Sequence, residues 1–119
     1  MSVSKSNDIL WTEIVKARAD YKCVSCGKET DLHSHHIVPR TEYSSRWLVL
    51  NGICLCSFCH QKAHNNLREF NLWLIQKGIR TEEQLIYLNE KRKIDKFVMN
   101  DLLVQAALNF KININQKTK

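Results

Sequence analysis

The sequence has a single proline, three glycines and no apolar run long enough to cross a membrane. Internal repeats, low-complexity tracts and linkers are missing too, so the chain reads as one domain, 1–119. Met1 to Leu10 offers only Val3, Ile9 and Leu10 as large aliphatics, without the apolar stretch or small-residue cleavage site of a secretory signal. A cytoplasmic location follows. In that reducing compartment the five cysteines are poorly explained as disulfides and better explained as metal ligands.

A chain of 119 residues buries only roughly two-thirds of the surface its unfolded form exposes, so its core is small and in need of reinforcement. The net charge is +6 and the pI is near 9.2. Such a balance favours a polyanionic partner, nucleic acid first, although a merely soluble basic protein has the same balance.

Asp8 to Arg18 has Trp11, Ile14, Val15 and Arg18 at helical spacing, with Asp8 placed to cap the first turn. Cys23 and Cys26 fall on a tight knuckle with Gly27. Leu32 to Val38 predicts a strand that Pro39 stops. Trp47 to Leu55 predicts a second strand, bent or bulged at Asn51-Gly52. One helix from Ser57 or Phe58 to Lys77 follows, with Gly78 as its stop. Thr81 and Gln84 have the form of a capping box for a helix from Glu82 to Lys91. A last helix spans Ile94 to Phe110, where Ile94, Phe97, Val98, Leu102, Leu103, Ala106 and Phe110 read as a core stripe. From Lys111 onward the chain fits either a short strand or a frayed end.

Cys23-x2-Cys26 and Cys56-x2-Cys59 are two chelating pairs, able together to supply the four thiolates of a closed structural zinc site. One such pair alone fits a redox centre; two in a short reducing-compartment chain favour zinc. Four sulfur ligands leave no open position, so this site is scaffold and not chemistry. Cys56-Ser57-Phe58-Cys59-His60 also matches the haem-attachment pattern, which fails because no export signal accompanies it and because it leaves the other pair unexplained. Cys54 reads as a small buried hydrophobe.

All five histidines, His33, His35, His36, His60 and His64, lie in the two strands and the helix after them. His60 and His64, four apart, share a helix face and can approach one cation together. His35 and His36 point to opposite sides of a strand, so one can face that cation while the other addresses a water from a different direction, provided the strand end is distorted there. His33 shares a face with His35 and reads as a residue behind the ligands or at the surface.

LHSHHIVPR, Asn51-Gly52 and CLCSFCHQKAH together resemble the HNH endonuclease family in its zinc-knuckle variant, over Tyr21 to about His64. The resemblance implies an α+β fold: a small ββα-metal (His-Me) finger with a four-cysteine zinc knuckle, flanked by an N-terminal helix and C-terminal helices. It divides the domain into 1–22 as helix and lead-in, 23–78 as nuclease core and 79–119 as helical extension. It also implies His36 as general base, Asn51 as the asparagine that holds the base's loop, and His35, His60 and His64 as ligands of a catalytic divalent ion. Histidine at position 35 resembles the colicin-type nucleases. Imidazole ligands suit zinc and nickel, and magnesium or manganese also remain open.

The implied activity is hydrolysis of DNA phosphodiester bonds to 5'-phosphate and 3'-hydroxyl ends, in a bacterial or phage-infected cell. It should fall below about pH 6.5 as an unperturbed imidazole protonates. Arg40, Arg46, Lys62 and the run Lys91, Arg92 and Lys93 are the candidate phosphate contacts. Two other readings use the same residues: a zinc-stabilised module that grips DNA without cutting it, and an adaptor that docks a protein partner through the C-terminal helices. No membrane partner is expected.

Overall fold

A computed structural model describes residues 3–42, 45–90 and 96–109. Helix α1 runs Val3–Arg18 and places Lys16 and Arg18 in its last turn, where cations complement the helix dipole. It starts five residues earlier than its apolar spacing predicts. Asp8 is therefore inside the helix and not its cap.

Strands β1 (Leu32–His36) and β2 (Gly52–Cys56) pair antiparallel, from Leu32 opposite Cys56 to His36 opposite Gly52. Of the bend or bulge expected at Asn51-Gly52, no bulge forms. A 3-10 turn, Val49–Asn51, instead takes the first part of the predicted strand, and the ladder after it is regular. All five β2 residues are buried; alternation splits Ile53, Cys54 and Leu55 between two cores, while Cys56 at the strand end lies with Ile53 and Leu55. Ile53 and Leu55 join Ile37, Val38, Ala63, Leu74, Leu85 and Leu88 on one side. Cys54 joins Leu10, Trp11, Ile14, Val15, Trp47, Leu103 and Ala107 on the other.

The helix predicted from Ser57 to Lys77 is broken into α2 (Ser57–Asn65) and α3 (Leu67–Gln76). Asn66 leaves helical geometry at φ −151 and accepts from Glu69 N at 3.1 Å, so it caps a new helix. Gly78 ends α3 at φ 70, a left-handed conformation glycine adopts without strain. Helix α4 (Glu82–Asn89) begins on the predicted capping box, with Thr81 and Gln84 bonded both ways. Helix α5 (Lys96–Asn109) packs Leu103 and Ala107 against α1. Leu102, assigned to the core stripe from spacing, is 55% exposed. Lys91 to Asp95 and Phe110 onward, with their predicted features, lie outside the described residues. Among the described residues, no helix is long and apolar enough to cross a membrane.

Two details lock α1 to the sheet. A Cβ at Gly52 would overlap Val15 Cγ2 and lie 2.9 Å from Trp11 Cζ2, so only glycine allows this closeness. Asp8 gathers the loop before β2: Arg46 donates to it through Nε at 3.0 Å and Nη2 at 2.6 Å, and Trp47 Nε1 donates at 2.8 Å. Burial alone would raise the Asp8 carboxyl, but the bonds from Arg46 and Trp47 outweigh it and hold the group below the ordinary carboxylate range.

Gly52→Ala is expected to destabilise the protein toward the upper end of the roughly 1–3 kcal/mol typical of overpacking, read as a lower urea midpoint at unchanged slope. Asp8→Asn should cost about 1–2 kcal/mol at pH 7, a modest figure because the carboxylate is partly open to water. A depressed carboxyl lends stability above its unfolded pKa and loses it as pH falls through the folded value. The gap between wild type and Asp8→Asn should therefore narrow below about pH 4, and a gap that stays constant to pH 3 would refute this role.

Candidate metal centre and active site

The knuckle forms because Gly27 takes φ 81 and lets the chain reverse, with Gly27 N donating to Cys23 O and Cys23 N to Lys28 O, both at 2.8 Å. Val24 N donates to Cys54 O at 2.9 Å and fastens the turn to β2. Cys56 closes β2 and Cys59 sits in the first turn of α2, so the two chelating pairs face each other. The sulfurs of Cys23, Cys26, Cys56 and Cys59 all lie within 4.8 Å of one another. Cys26 and Cys56 Sγ are 3.7 Å apart, close to the roughly 3.8 Å between two sulfurs on a tetrahedral zinc with bonds of about 2.3 Å.

The chemistry of this set also fits a cation. Burial opposes ionisation of Cys23, but backbone N–H groups of Cys56, Cys26 and Ser25 overcome it and bring the thiol down to about 6. Burial and the neighbouring Cys56 and Cys23 sulfurs push Cys59 up to about 12. The Cys23 thiolate is thus favoured without a cation, whereas Cys59 needs one to ionise.

The histidines divide by strand alternation. His33 and His35 point to the α2 side of β1, while His36, the last residue of the strand, stacks on Trp11 of α1 with ring centroids 4.0 Å apart and planes at 14°. On the α2 side, ring nitrogens of His35, His60 and His64 lie within 4.8 Å of one another. His60 Nε2 and His64 Nε2 are 3.1 Å apart, near the spacing of two nitrogens on one tetrahedral ion, roughly 3.3 Å for bonds of about 2.0 Å.

His35 is fully buried and neither of its nitrogens has a hydrogen-bond partner. A buried imidazole left unpaired costs roughly 1–3 kcal/mol, which a bound cation would offset. Burial first, then the neighbouring imidazoles, press its pKa down to about 3, and His60 is lowered for the same reasons. Both rings are neutral at pH 7, the state in which imidazole ligates a metal.

Burial lowers His36 to about 4, against a weaker opposing effect of its bond to the Arg46 backbone carbonyl. The ring is therefore neutral well below the pH 6.5 expected for an unperturbed imidazole. Its Nε2 is buried and unpaired. Asn51, wholly buried, fixes the turn two residues on: its Nδ2 donates to Val38 O at 3.0 Å and its Oδ1 accepts from Val38 N at 2.8 Å.

Sequence reasoning missed three residues around this site. Trp11 read only as one position of an amphipathic helix, yet it covers His36 and donates to Leu48 O at 2.8 Å. Asp8 read as a cap, yet it anchors the loop beside His36. Arg80, in the turn after α3, gave no signal at all. It is 7% exposed and donates to Leu50 O at 2.9 Å and Gly52 O at 3.0 Å, bracketing Asn51. Burial, then Arg18, lowers its pKa to about 10, so it stays charged at neutral pH.

Of the basic residues singled out, Arg40 and Lys62 are exposed, and Lys91, Arg92 and Lys93 lie outside the described residues. Arg46 is 8% exposed with its guanidinium on Asp8.

The purified protein is expected to hold one tightly bound zinc per chain at the cysteines. Stripping it with a strong chelator, or replacing Cys56 with serine, should lower the melting temperature sharply. Elemental analysis and circular dichroism read both, and full thermal stability with the zinc removed would rule out a scaffold role.

No curated protein and no solved structure matches the chain significantly. Residues 23–66 match the family model described as HNH endonuclease, a span that takes in the knuckle, both strands, the three clustered histidines and all of α2. Within Cys23 to Asn66 the chain is thus similar to the HNH endonuclease family.

Proposed function

We propose that the protein is a metal-dependent endonuclease that hydrolyses DNA phosphodiester bonds. The observation that carries this reading is His35: a fully buried imidazole with both nitrogens unpaired, facing His60 and His64 inside a segment that matches the HNH model. His35, His60 and His64 would hold a divalent ion, zinc, nickel, manganese or magnesium. Such an ion supplies Lewis-acid stabilisation of the charge that develops on the phosphate and the leaving oxygen.

His36 acts as general base. Its N–H is held on the Arg46 carbonyl, which leaves the Nε2 lone pair as the proton acceptor. His36 takes a proton from water as its oxygen attacks phosphorus and the bond to the 3'-oxygen breaks; that oxygen takes a proton from solvent, giving 5'-phosphate and 3'-hydroxyl ends. Asn51 keeps the loop after His36 in place through Val38, and Trp11 fixes the ring's plane. The net charge of +6 draws the polyanion, with Arg40 and Lys62 as exposed contacts and Lys91, Arg92 and Lys93 as further ones. Arg46 serves the loop and not the phosphates, because its guanidinium is already paired in the interior.

Two observations favour a module that binds DNA without cutting it: His36 Nε2 lies below the surface, and His36 leaves β1 toward α1 while His35 faces His60 and His64. Cleavage of supercoiled plasmid separates the two readings. Wild type is expected to give nicked or linear product with at least one of the four ions added after chelation. His36→Ala, at equal zinc content and melting temperature, should be slower by roughly 100-fold or more. Retardation of DNA by both proteins with cleavage by neither would establish the binding module instead.

A further inference from the structure

His60 stands between two other imidazoles. Its Nδ1 faces His33 Nδ1 at 3.0 Å, and its Nε2 faces His64 Nε2 at 3.1 Å. A neutral imidazole carries one N–H, so the edge that takes the proton determines what the other edge can do. With the proton on Nε2, the ring would aim an N–H into the space shared with His35 and His64 and could not ligate there. With the proton on Nδ1, the Nε2 lone pair is free to face a cation.

We propose that His33 is the residue that makes this choice, a positioning residue whose Nδ1 accepts the Nδ1–H of His60 and so turns the Nε2 lone pair toward His35 and His64. The placement follows from β1: His33 lies two residues before His35 on the same strand face, opposite Leu55, where its ring meets the first turn of α2 edge-on at 75° with centroids 5.1 Å apart. It is exposed, and it is absent from the group whose nitrogens converge within 4.8 Å, so it sits behind a ligand and not among the ligands. A partner on the far nitrogen that fixes ring orientation is what metal-bound histidines ordinarily need, and none of His60's other contacts supplies one. The inference rests on the reading of His35, His60 and His64 as a cation site.

Three proteins test it, each with zinc already in the cysteine site: wild type, His33→Asn and His33→Leu. Asparagine keeps an acceptor oxygen near the position of Nδ1; leucine keeps bulk and removes the acceptor. The exposed position makes both compatible with folding, which melting temperatures check. Long-range proton–nitrogen NMR of the imidazoles reads the His60 tautomer, and a second equivalent of zinc is titrated against a chromophoric chelator at pH 7.5.

Wild type and His33→Asn are expected to hold the His60 proton on Nδ1 and to bind the second ion alike. His33→Leu should show a mixed tautomer and bind roughly 10–100-fold more weakly. Equal affinity in His33→Leu, or a His33 nitrogen that itself moves to a metal-bound shift, would overturn the proposal and leave the cation site standing. A wild-type protein that takes up no second ion would overturn both.

Discussion

Five residue pairs, from Leu32–Cys56 to His36–Gly52, hold together two strands that would be marginal alone in water. Everything else in the molecule follows from covering both faces of that ladder. Because successive side chains leave a strand on opposite sides, the same five residues of β1 send His33 and His35 toward α2 and Ser34 and His36 toward α1. Ser34 Oγ reaches Thr12 O at 2.9 Å, and His36 lies flat on Trp11. Slipping the register by one residue would exchange the two sets and dismantle both the cluster and the stack.

The site is kept electrically quiet by burial. His35 and His36 are neutral because the interior disfavours their charged forms, while the charge near them is placed on groups with fixed partners: Arg46 on Asp8, and Arg80 on backbone carbonyls on either side of Asn51. Among the described residues Arg80 has no carboxylate partner, so its charge remains uncompensated under the loop that carries Asn51. The loop thus leans on a cation from below and on an amide clamp from the side.

What the sequence discloses about this fold is the part written in short-range spacing. Each CxxC pair and the i, i+4 histidine pair bring ligands together through local geometry, the HH dipeptide divides its two imidazoles between the faces of a strand, and the Thr81–Gln84 cap is equally local. Contacts that depend on distant segments were hidden. Asp8 precedes a run of apolar residues and so resembles a cap, but its partners Arg46 and Trp47 come nearly forty residues later. The apolar rhythm of Leu67 to Leu74 continues the α2 pattern smoothly, and only Asn66, an ordinary surface residue by type, marks the break. Arg80 lies in a turn where a lone arginine normally meets solvent. The bend or bulge predicted at Asn51-Gly52 takes the form of a 3-10 turn ending at Asn51, and Gly52 serves a close approach to α1.

That close approach bears on where the working unit ends. The HNH model spans residues 23–66, yet Gly52 is bare so that Val15 and Trp11 can press on it, Ser34 bonds the α1 backbone, and Arg80 braces the asparagine from beyond α2. Excised alone, the matched segment would expose an apolar sheet face and leave His36 without its aromatic cover. Transplanting this finger into another scaffold would mean carrying α1 and the turn at Arg80 along with it, or designing their equivalents.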